Sequence, residues 1–386
     1  MSSDRFDLIA GALPGRTEDS KHMREALVLA RRGWGQVSPN PLVGAVVAHG
    51  DVVVGRGWHS RFGDDHAEIV ALKEAGSQAR GSTLYLTLEP CNHDGKTAPC
   101  TETILKTGVR RVVLACRDPN REAGGGAEVL LERGIQVEVG LEAPEARRLN
   151  AEFLWFHLTN IPFASLKLAL SLDAKLGAPS TRTPVTGERA LEAAHRLRAS
   201  HDAIIVGRNT IETDDPLLTA RGDISPRRPP VRIILDTEFR MKVDTELIRT
   251  IEEAPVWVIG ADDLDRREDP ARELRAAGVR VLEVPRGQDG LLSMDHIWKE
   301  LTSRQILSVL IEGGGRVASS VIRAGLVQRM YAFVAPVFFG ESGVPAFPDV
   351  PPSKMEDWQP VERNPLGPDT RIVLDHRSLH ETLLQV

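Results

Sequence analysis

The residues with the most chemistry in them lie in three short pieces: His66-Ala67-Glu68, Pro90-Cys91 and Pro99-Cys100. One imidazole and two thiolates form a tetrahedral ligand set for zinc and leave a fourth position for water. Zinc lowers the pKa of such a water to about 7, which makes a nucleophile available at neutral pH. Glu68 lies two residues beyond His66, so it can share the pocket without ligating the metal and can carry the water's proton to a departing ammonia. In this order the pieces read as a hydrolytic deaminase acting on an amine-bearing ring. The plainer alternative is one surface histidine and two buried cysteines. Cys116 ends an apolar run and reads as a small buried hydrophobe rather than a ligand.

A second candidate is Gly313-Gly314-Gly315, between the strand-like Leu307–Ile311 and a helical stretch from Val317. Glycines there let backbone approach a phosphate at a helix N-terminus. The run is not the G-x-G-x-x-G of dinucleotide folds, and a plain strand-to-helix turn explains it equally.

The elements that must position these residues alternate. Residues 1–19 read as a flexible arm. From residue 20, apolar positions Met23, Ala26, Leu27 and Ala30 recur with helical spacing. Leu42–Ala48 and Val52–Gly55 flank a hairpin turn. Strands at Thr83–Leu88, Val112–Ala115 and Ile135–Val139 then alternate with helices at 67–74, 101–106, 128–133 and 144–158. Asn160-Ile161-Pro162 marks the boundary between a first domain, residues 20–159, and a second, residues 160–386. The alternation resumes with strands near 163–169, 203–206, 231–235, 256–259, 279–284, 307–311 and 330–335. Both halves are therefore expected to be α/β. Residues after about 345 receive no role.

The 386 residues carry 48 Lys+Arg against 54 Asp+Glu, a net charge of −6. That balance argues against a nucleic-acid partner. Three cysteines in so long a chain do not make a disulfide scaffold. No secretory pattern opens the sequence and no apolar run reaches membrane-helix length, so a cytoplasmic location and no membrane association are expected.

Eight residues separate Cys91 from Cys100, where the general deaminase signature has two. The stretch from Glu89 to Cys100 resembles the corresponding loop of the riboflavin-biosynthesis bifunctional deaminase–reductases. Pro39-Asn40-Pro41-Leu42-Val43-Gly44, His59, Asp118-Pro119-Asn120 and Leu149-Asn150 with Phe153 extend the resemblance. In the second half, Leu166-Lys167, Ser171-Leu172-Asp173, His195 through Arg198, residues 201–207, Asp214 through Arg221, Pro230 through Asp236 and Glu312 through Gly315 do the same. The resemblance spans nearly all of residues 20–345. It implies a cytidine-deaminase-like three-layer domain followed by a dihydrofolate-reductase-like α/β domain.

It further implies Zn2+ and NADPH as cofactors and a pyrimidine ribose-phosphate as the small-molecule substrate, in a homo-oligomer. The deaminase substrate would meet Asn40, His59, His93 and Lys96. A turn-forming Asn40 and solvated His93 and Lys96 are the plainer readings of those residues. The reductase substrate would meet Arg198, Leu218, Arg221 and Glu312, with both arginines as forks for its phosphate. The cofactor would meet Leu170, Thr210, Asp214, Gly313, Gly314 and Gly315. For Asp214 and Glu312 the alternative is capping or an ion pair.

Two segments depart from the family. Ala174 stands where Leu-Asp-Gly-Lys has glycine, and Arg182 and Pro184 stand where Ser-x-Trp has serine and tryptophan. Three alternatives to the bifunctional reading therefore remain at this point: a deaminase with a weak or inactive reductase half, a nucleic-acid base deaminase, and a non-catalytic zinc-stabilised binding protein.

Overall fold

In the computed structural model, the residues described are 17–93, 99–179, 183–264, 269–354 and 356–386. They form two compact units, one of residues up to Thr159 together with Leu383–Val386 and the other of Asn160–Thr382.

The first unit runs α1 (Thr17–Ala30), β1 (Gly44–His49), β2 (Val52–Trp58), α2 (Ala67–Ala75), β3 (Thr83–Leu86), α3 (Cys100–Thr107), β4 (Arg111–Leu114), α4 (Gly126–Glu132), β5 (Gln136–Val139), α5 (Ala143–Leu149) and α6 (Ala151–Thr159). The sheet order is β2-β1-β3-β4-β5. β1 is antiparallel to both its neighbours, while β3, β4 and β5 are parallel. Alternate strand residues Ala45, Val47, Leu84, Leu86, Val112 and Leu114 bury one face against α2, α3 and α4. Helix α1 lies close to β1, where a Cβ on Gly44 would meet the Ala26 carbonyl oxygen at 1.9 Å. Only glycine allows that approach.

Two boundaries differ from the sequence reading. The arm expected to reach residue 19 stops short, because α1 begins at Thr17. Asp19 is buried, and both its oxygens take the guanidinium of Arg111 at 3.0 and 2.9 Å, with Tyr85 Oη donating at 2.5 Å. The single helix expected over 144–158 is two helices. Asn150 breaks it because its side chain accepts from Leu42 N (2.8 Å) and donates to Leu42 O (2.9 Å).

The second unit contains β6 (Phe163–Ser171), α7 (Glu188–Ser200), β7 (Ala203–Gly207), α8 (Arg208–Asp214), β8 (Val231–Leu235), α9 (Glu246–Arg249), β9 (Val256–Ala261), α10 (Arg272–Ala276), β10 (Arg280–Val284), α11 (Met294–Ser303), β11 (Ser308–Ile311), α12 (Gly315–Arg323), β12 (Arg329–Ala335), β13 (Trp358–Leu366), β14 (Asp369–His376) and α13 (Arg377–Leu383). The sheet order is β10-β9-β8-β7-β11-β6-β12-β14-β13, parallel through β12 and antiparallel at the last two strands. Helices cover both faces, α11 and α12 over one core, α7, α9 and α10 over the other.

The chain leaves β6 for β7, works outward to β10, and returns to insert β11 between β7 and β6. Crossovers diverge there, which is where an open α/β sheet leaves a crevice beyond the carboxyl ends of its strands. The β13–β14 hairpin was missed in the sequence. Pro360 and Pro365 disqualify β13 as an interior strand, and it sits at the sheet edge, where prolines are tolerated. Among the described residues, no helix is long and apolar enough to cross a membrane.

Candidate active sites

In the first unit, three elements deliver the ligand set. His66 is the residue before α2 in extended conformation, and Cys100 opens α3 behind Pro99. Cys91 follows β3 on the Glu89-Pro90 turn. His66 Nδ1 lies 3.2 Å from Cys100 Sγ and 3.6 Å from Cys91 Sγ, and all three ligand atoms fall within 4.8 Å of one another. Tetrahedral zinc with ordinary Zn–S and Zn–N bonds separates such atoms by about 3.5–3.8 Å, so the donor set fits the metal with little adjustment.

The charge pattern agrees. A hydrogen bond from Cys100 pulls the Cys91 thiol down to about 4 against the opposing effect of burial. His66 is pushed up to about 9, first by its hydrogen bond with Cys91. The bare cluster thus holds a positive charge between sulfurs, and a metal ion replaces that proton.

Glu68, in the first turn of α2, is 3% exposed. Burial raises its carboxyl pKa, opposed by the His66 charge and a hydrogen bond with Cys100. His59 is buried, its ring edge-on to His66 at 5.3 Å between centroids. Its two nitrogens face Asn40 Nδ2 (3.1 Å) and Asp65 O (3.2 Å). The structure therefore brings His66, Cys91, Cys100, Glu68, His59 and Asn40 together. His93 is exposed, and Lys96 lies outside the described residues. Cys116 is buried and donates to Thr87 O at 3.4 Å.

Sequence reasoning missed Glu89. Its buried carboxylate accepts from Asp118 N (3.0 Å) and Ala127 N (2.9 Å), which braces the Cys91 turn. Its only signal was its place before Pro90-Cys91.

In the second unit, the candidates gather at the carboxyl ends of β6, β7 and β11. β11 ends at Ile311, level with Leu166 on β6 and Ile205 on β7, and β6 runs on to Ser171. Leu170 sits on that overhang, half-buried Thr210 and Asp214 on α8 beyond β7, and Glu312 beyond β11.

The structure corrects the expectation that Arg198 and Glu312 stand ready for phosphate and ribose. They clasp each other: Arg198 Nε and Nη2 donate to Glu312 Oε1 and Oε2 at 2.6 and 2.8 Å, both side chains being buried. Lys167 Nζ lies 4.0 Å from Glu312 Oε2. Burial alone would raise the Glu312 carboxyl, yet the Arg198 and Lys167 charges hold it at about 2. Lys167 was legible only as a lysine inside an apolar strand.

Arg198 Nη1 (3.2 Å) and His195 Nδ1 (3.2 Å) both meet Thr219 O. Leu218 next to it is buried and left-handed, φ +50°. Arg221 is exposed, and its charge, after burial and the charge of Arg198, lowers the His195 pKa.

The three glycines divide. A Cβ on Gly313 would lie 2.7 Å from Val317 Cβ, and one on Gly315 2.4 Å from Pro345 O, so both are packing requirements. Gly314, at the start of α12, has nothing within 4 Å of its Cβ position and leaves open space for a ligand.

Of the departures, Pro184 is exposed and Arg182 lies outside the described residues. Ala174 is exposed in the turn closed by Asp173, with φ +56°. Its departure from glycine therefore strains the backbone locally. Ala174→Gly is expected to raise stability by about 1 kcal/mol, the cost of a left-handed non-glycine residue. Chemical denaturation checks this, and an unchanged or lowered midpoint contradicts it.

Comparison with known proteins gives the same division. Residues 16–116 match the family described as the cytidine and deoxycytidylate deaminase zinc-binding region, and residues 162–372 match the RibD C-terminal domain. The riboflavin biosynthesis protein RibD of Aquifex aeolicus (strain VF5) is 40% identical over 328 residues, covering 84% of this chain and 89% of that protein. The solved structure of Acinetobacter baumannii RibD, form 1, superposes with a TM-score of 0.81 at 34% identity, covering 93% of this chain and 99% of that one. The crystal structure of a diaminohydroxyphosphoribosylaminopyrimidine deaminase/5-amino-6-(5-phosphoribosylamino)uracil reductase from Thermotoga maritima gives 0.79 at 30% identity, with the same coverage.

Proposed function

From its membership of the RibD family, the bifunctional riboflavin-biosynthesis enzymes with a zinc-binding deaminase domain and a reductase domain, we propose that this chain performs the two reactions for which its Thermotoga maritima relative is named. It deaminates the diamino-pyrimidinone ribose-phosphate, then reduces the ribosyl group to ribityl with NADPH. The observation that carries the first step is His66 Nδ1 set between Cys91 and Cys100 with buried Glu68 beside them.

Zinc, when bound by His66, Cys91 and Cys100, supplies an acidified water. Glu68 takes the water's proton and delivers it to the leaving amine, so water enters and ammonia departs. Asn40 and His59 fix the ring edge through the hydrogen-bonding groups they point into the pocket, with His93 and Lys96 toward the ribose-phosphate.

In the second unit, NADPH, when bound, supplies a hydride. Leu170, Thr210, Asp214 and the open backbone at Gly314 are the groups proposed to hold it, with Gly313 and Gly315 allowing the close approach. Leu218 and the exposed Arg221 are assigned to the reductase substrate, with Arg221 on its phosphate. Glu312 and Arg198 hold that wall of the site through Thr219.

A deaminase with a weak second domain draws on Ala174 and Pro184. The intact Lys167–Glu312–Arg198 cluster favours a working reductase. A cytoplasmic homo-oligomer is part of the same reading. Exposed Leu172, Val337 and Phe338 offer an apolar surface for it, with Leu172 N bonded to Val337 O at 2.9 Å.

Chelation tests the assignment. Stripping zinc is expected to stop ammonia release while leaving reduction of the already deaminated compound intact. Continued ammonia release from metal-free protein contradicts it.

A further inference from the structure

The loop after α8, assigned to the reductase substrate, is held in an unusual shape. Asp215 and Leu218 both have left-handed backbones, φ +40° and +50°. Non-glycine residues stay in that region only where their surroundings over-determine it, and such places cluster at functional sites. The carbonyl after Leu218, that of Thr219, is held by Arg198 and His195. The carbonyl before it, that of Leu217, is held by Arg232 Nη1 at 3.2 Å.

Arg232 lies in β8 and is 0% exposed. It makes no ion pair with any described carboxylate. Its other bonds run to the loop after α9: Nη1 to Thr250 Oγ1 (2.7 Å), Nη2 to Thr250 O (2.8 Å) and to Ala254 O (2.5 Å). A fully buried cation without a counter-charge is costly to keep. What it gains here is a rigid fork spanning two loops, which one ammonium cannot reproduce.

We propose that Arg232 is a positioning residue of the reductase site: through the Leu217 carbonyl it fixes the left-handed turn at Leu218 and so the placement of Leu218 and Arg221 against the substrate. This rests on the assignment of that loop to the substrate. Arg232 touches neither substrate nor cofactor, and its effect is confined to the reductase reaction.

The test uses the full-length zinc-loaded protein, with the amino-uracil ribosyl phosphate and NADPH as probes. Arg232→Met is expected to lower reductase kcat/KM about ten-fold or more, mainly by raising KM for the pyrimidine substrate. The KM for NADPH and the deaminase rate stay within about two-fold. Arg232→Lys, which keeps a cation in the cavity but spans only one loop, carries the same comparison if the Met variant does not fold. Thr250→Val removes an Arg232 partner on the α9 side only. It is expected to lower the denaturation midpoint without moving the substrate KM, which separates positioning from general support.

Arg221→Ala tests the underlying assignment. If it leaves the substrate KM unchanged, the loop does not border the substrate and the proposal falls with it. If Arg221→Ala raises KM while both Arg232 variants leave it unchanged, the proposal alone is overturned. It is also overturned if Thr250→Val moves KM as much as Arg232→Met does.

Discussion

Glu68→Gln lowers the rate of ammonia release by about 100- to 10,000-fold, the range lost when a positioned general acid–base is removed. The amide keeps the size of the side chain but neither takes nor returns a proton. Zinc content stays at the wild-type level, because His66, Cys91 and Cys100 are untouched and meet within 4.8 Å without any contribution from the carboxylate. Reduction of the deaminated compound also continues, since Glu68 belongs to the first unit alone. Metal analysis beside separate deaminase and reductase assays checks all three outcomes. Near-normal ammonia release with zinc bound contradicts Glu68 as the proton carrier. Loss of zinc in the variant contradicts the assignment of ligands to the other three residues alone.

The second large effect is expected at Glu312. Its carboxyl falls from the ordinary 4.5 to about 2 in the folded chain; burial works against that shift, and the Arg198 and Lys167 charges outweigh it. A lowered carboxyl pKa stabilises the fold above the unfolded value and loses that contribution as pH falls through the folded value. The contribution is therefore complete above about pH 4.5 and is lost on the way down to about 2. At 1.36 kcal/mol per unit, it amounts to about 3 kcal/mol at neutral pH.

Glu312→Gln removes it and leaves Arg198 and Lys167 buried without a counter-charge, a loss of about 3–5 kcal/mol by the usual cost of breaking such a pair. Reductase activity falls with it, because Arg198 also holds the Thr219 carbonyl beside Leu218. Urea denaturation at several pH values checks this. The wild-type advantage over the variant should shrink between pH about 4.5 and 2. An advantage that persists unchanged to pH 2 contradicts the ion pair as its source.

The zinc site was legible in the sequence because each ligand sits in a short motif at a turn or helix start, where local residue order already decides its placement. Asn40 and His59 were legible as polar residues near it, though their contact with each other was not. The second site was legible in residue type but not in role. Arg198 and Glu312 are 114 positions apart, and only the insertion of β11 between β7 and β6 brings them to one sheet edge. An arginine read from sequence carries no sign that a distant glutamate has already claimed its fork.

Arg232 was hidden for a related reason. Its partners are mostly carbonyls, which every residue has, so nothing in β8 or in the two loops announces the contact. The β13–β14 hairpin was concealed by prolines that suit an edge strand and no other. Asn150 looked like an ordinary helix residue until Leu42 was seen to occupy both ends of its amide.

The central claim is that one chain performs both reactions in sequence, and the most direct measurement is their stoichiometry. Zinc-loaded protein is given the diamino-pyrimidinone ribose-phosphate with excess NADPH, and ammonia released and NADPH oxidised are counted in the same vessel. The account predicts one NADPH consumed for each ammonia released, with no oxidation before deamination begins and a ribityl product at the end. Ammonia without NADPH oxidation contradicts the working reductase, and NADPH oxidation without ammonia contradicts the order of the two steps.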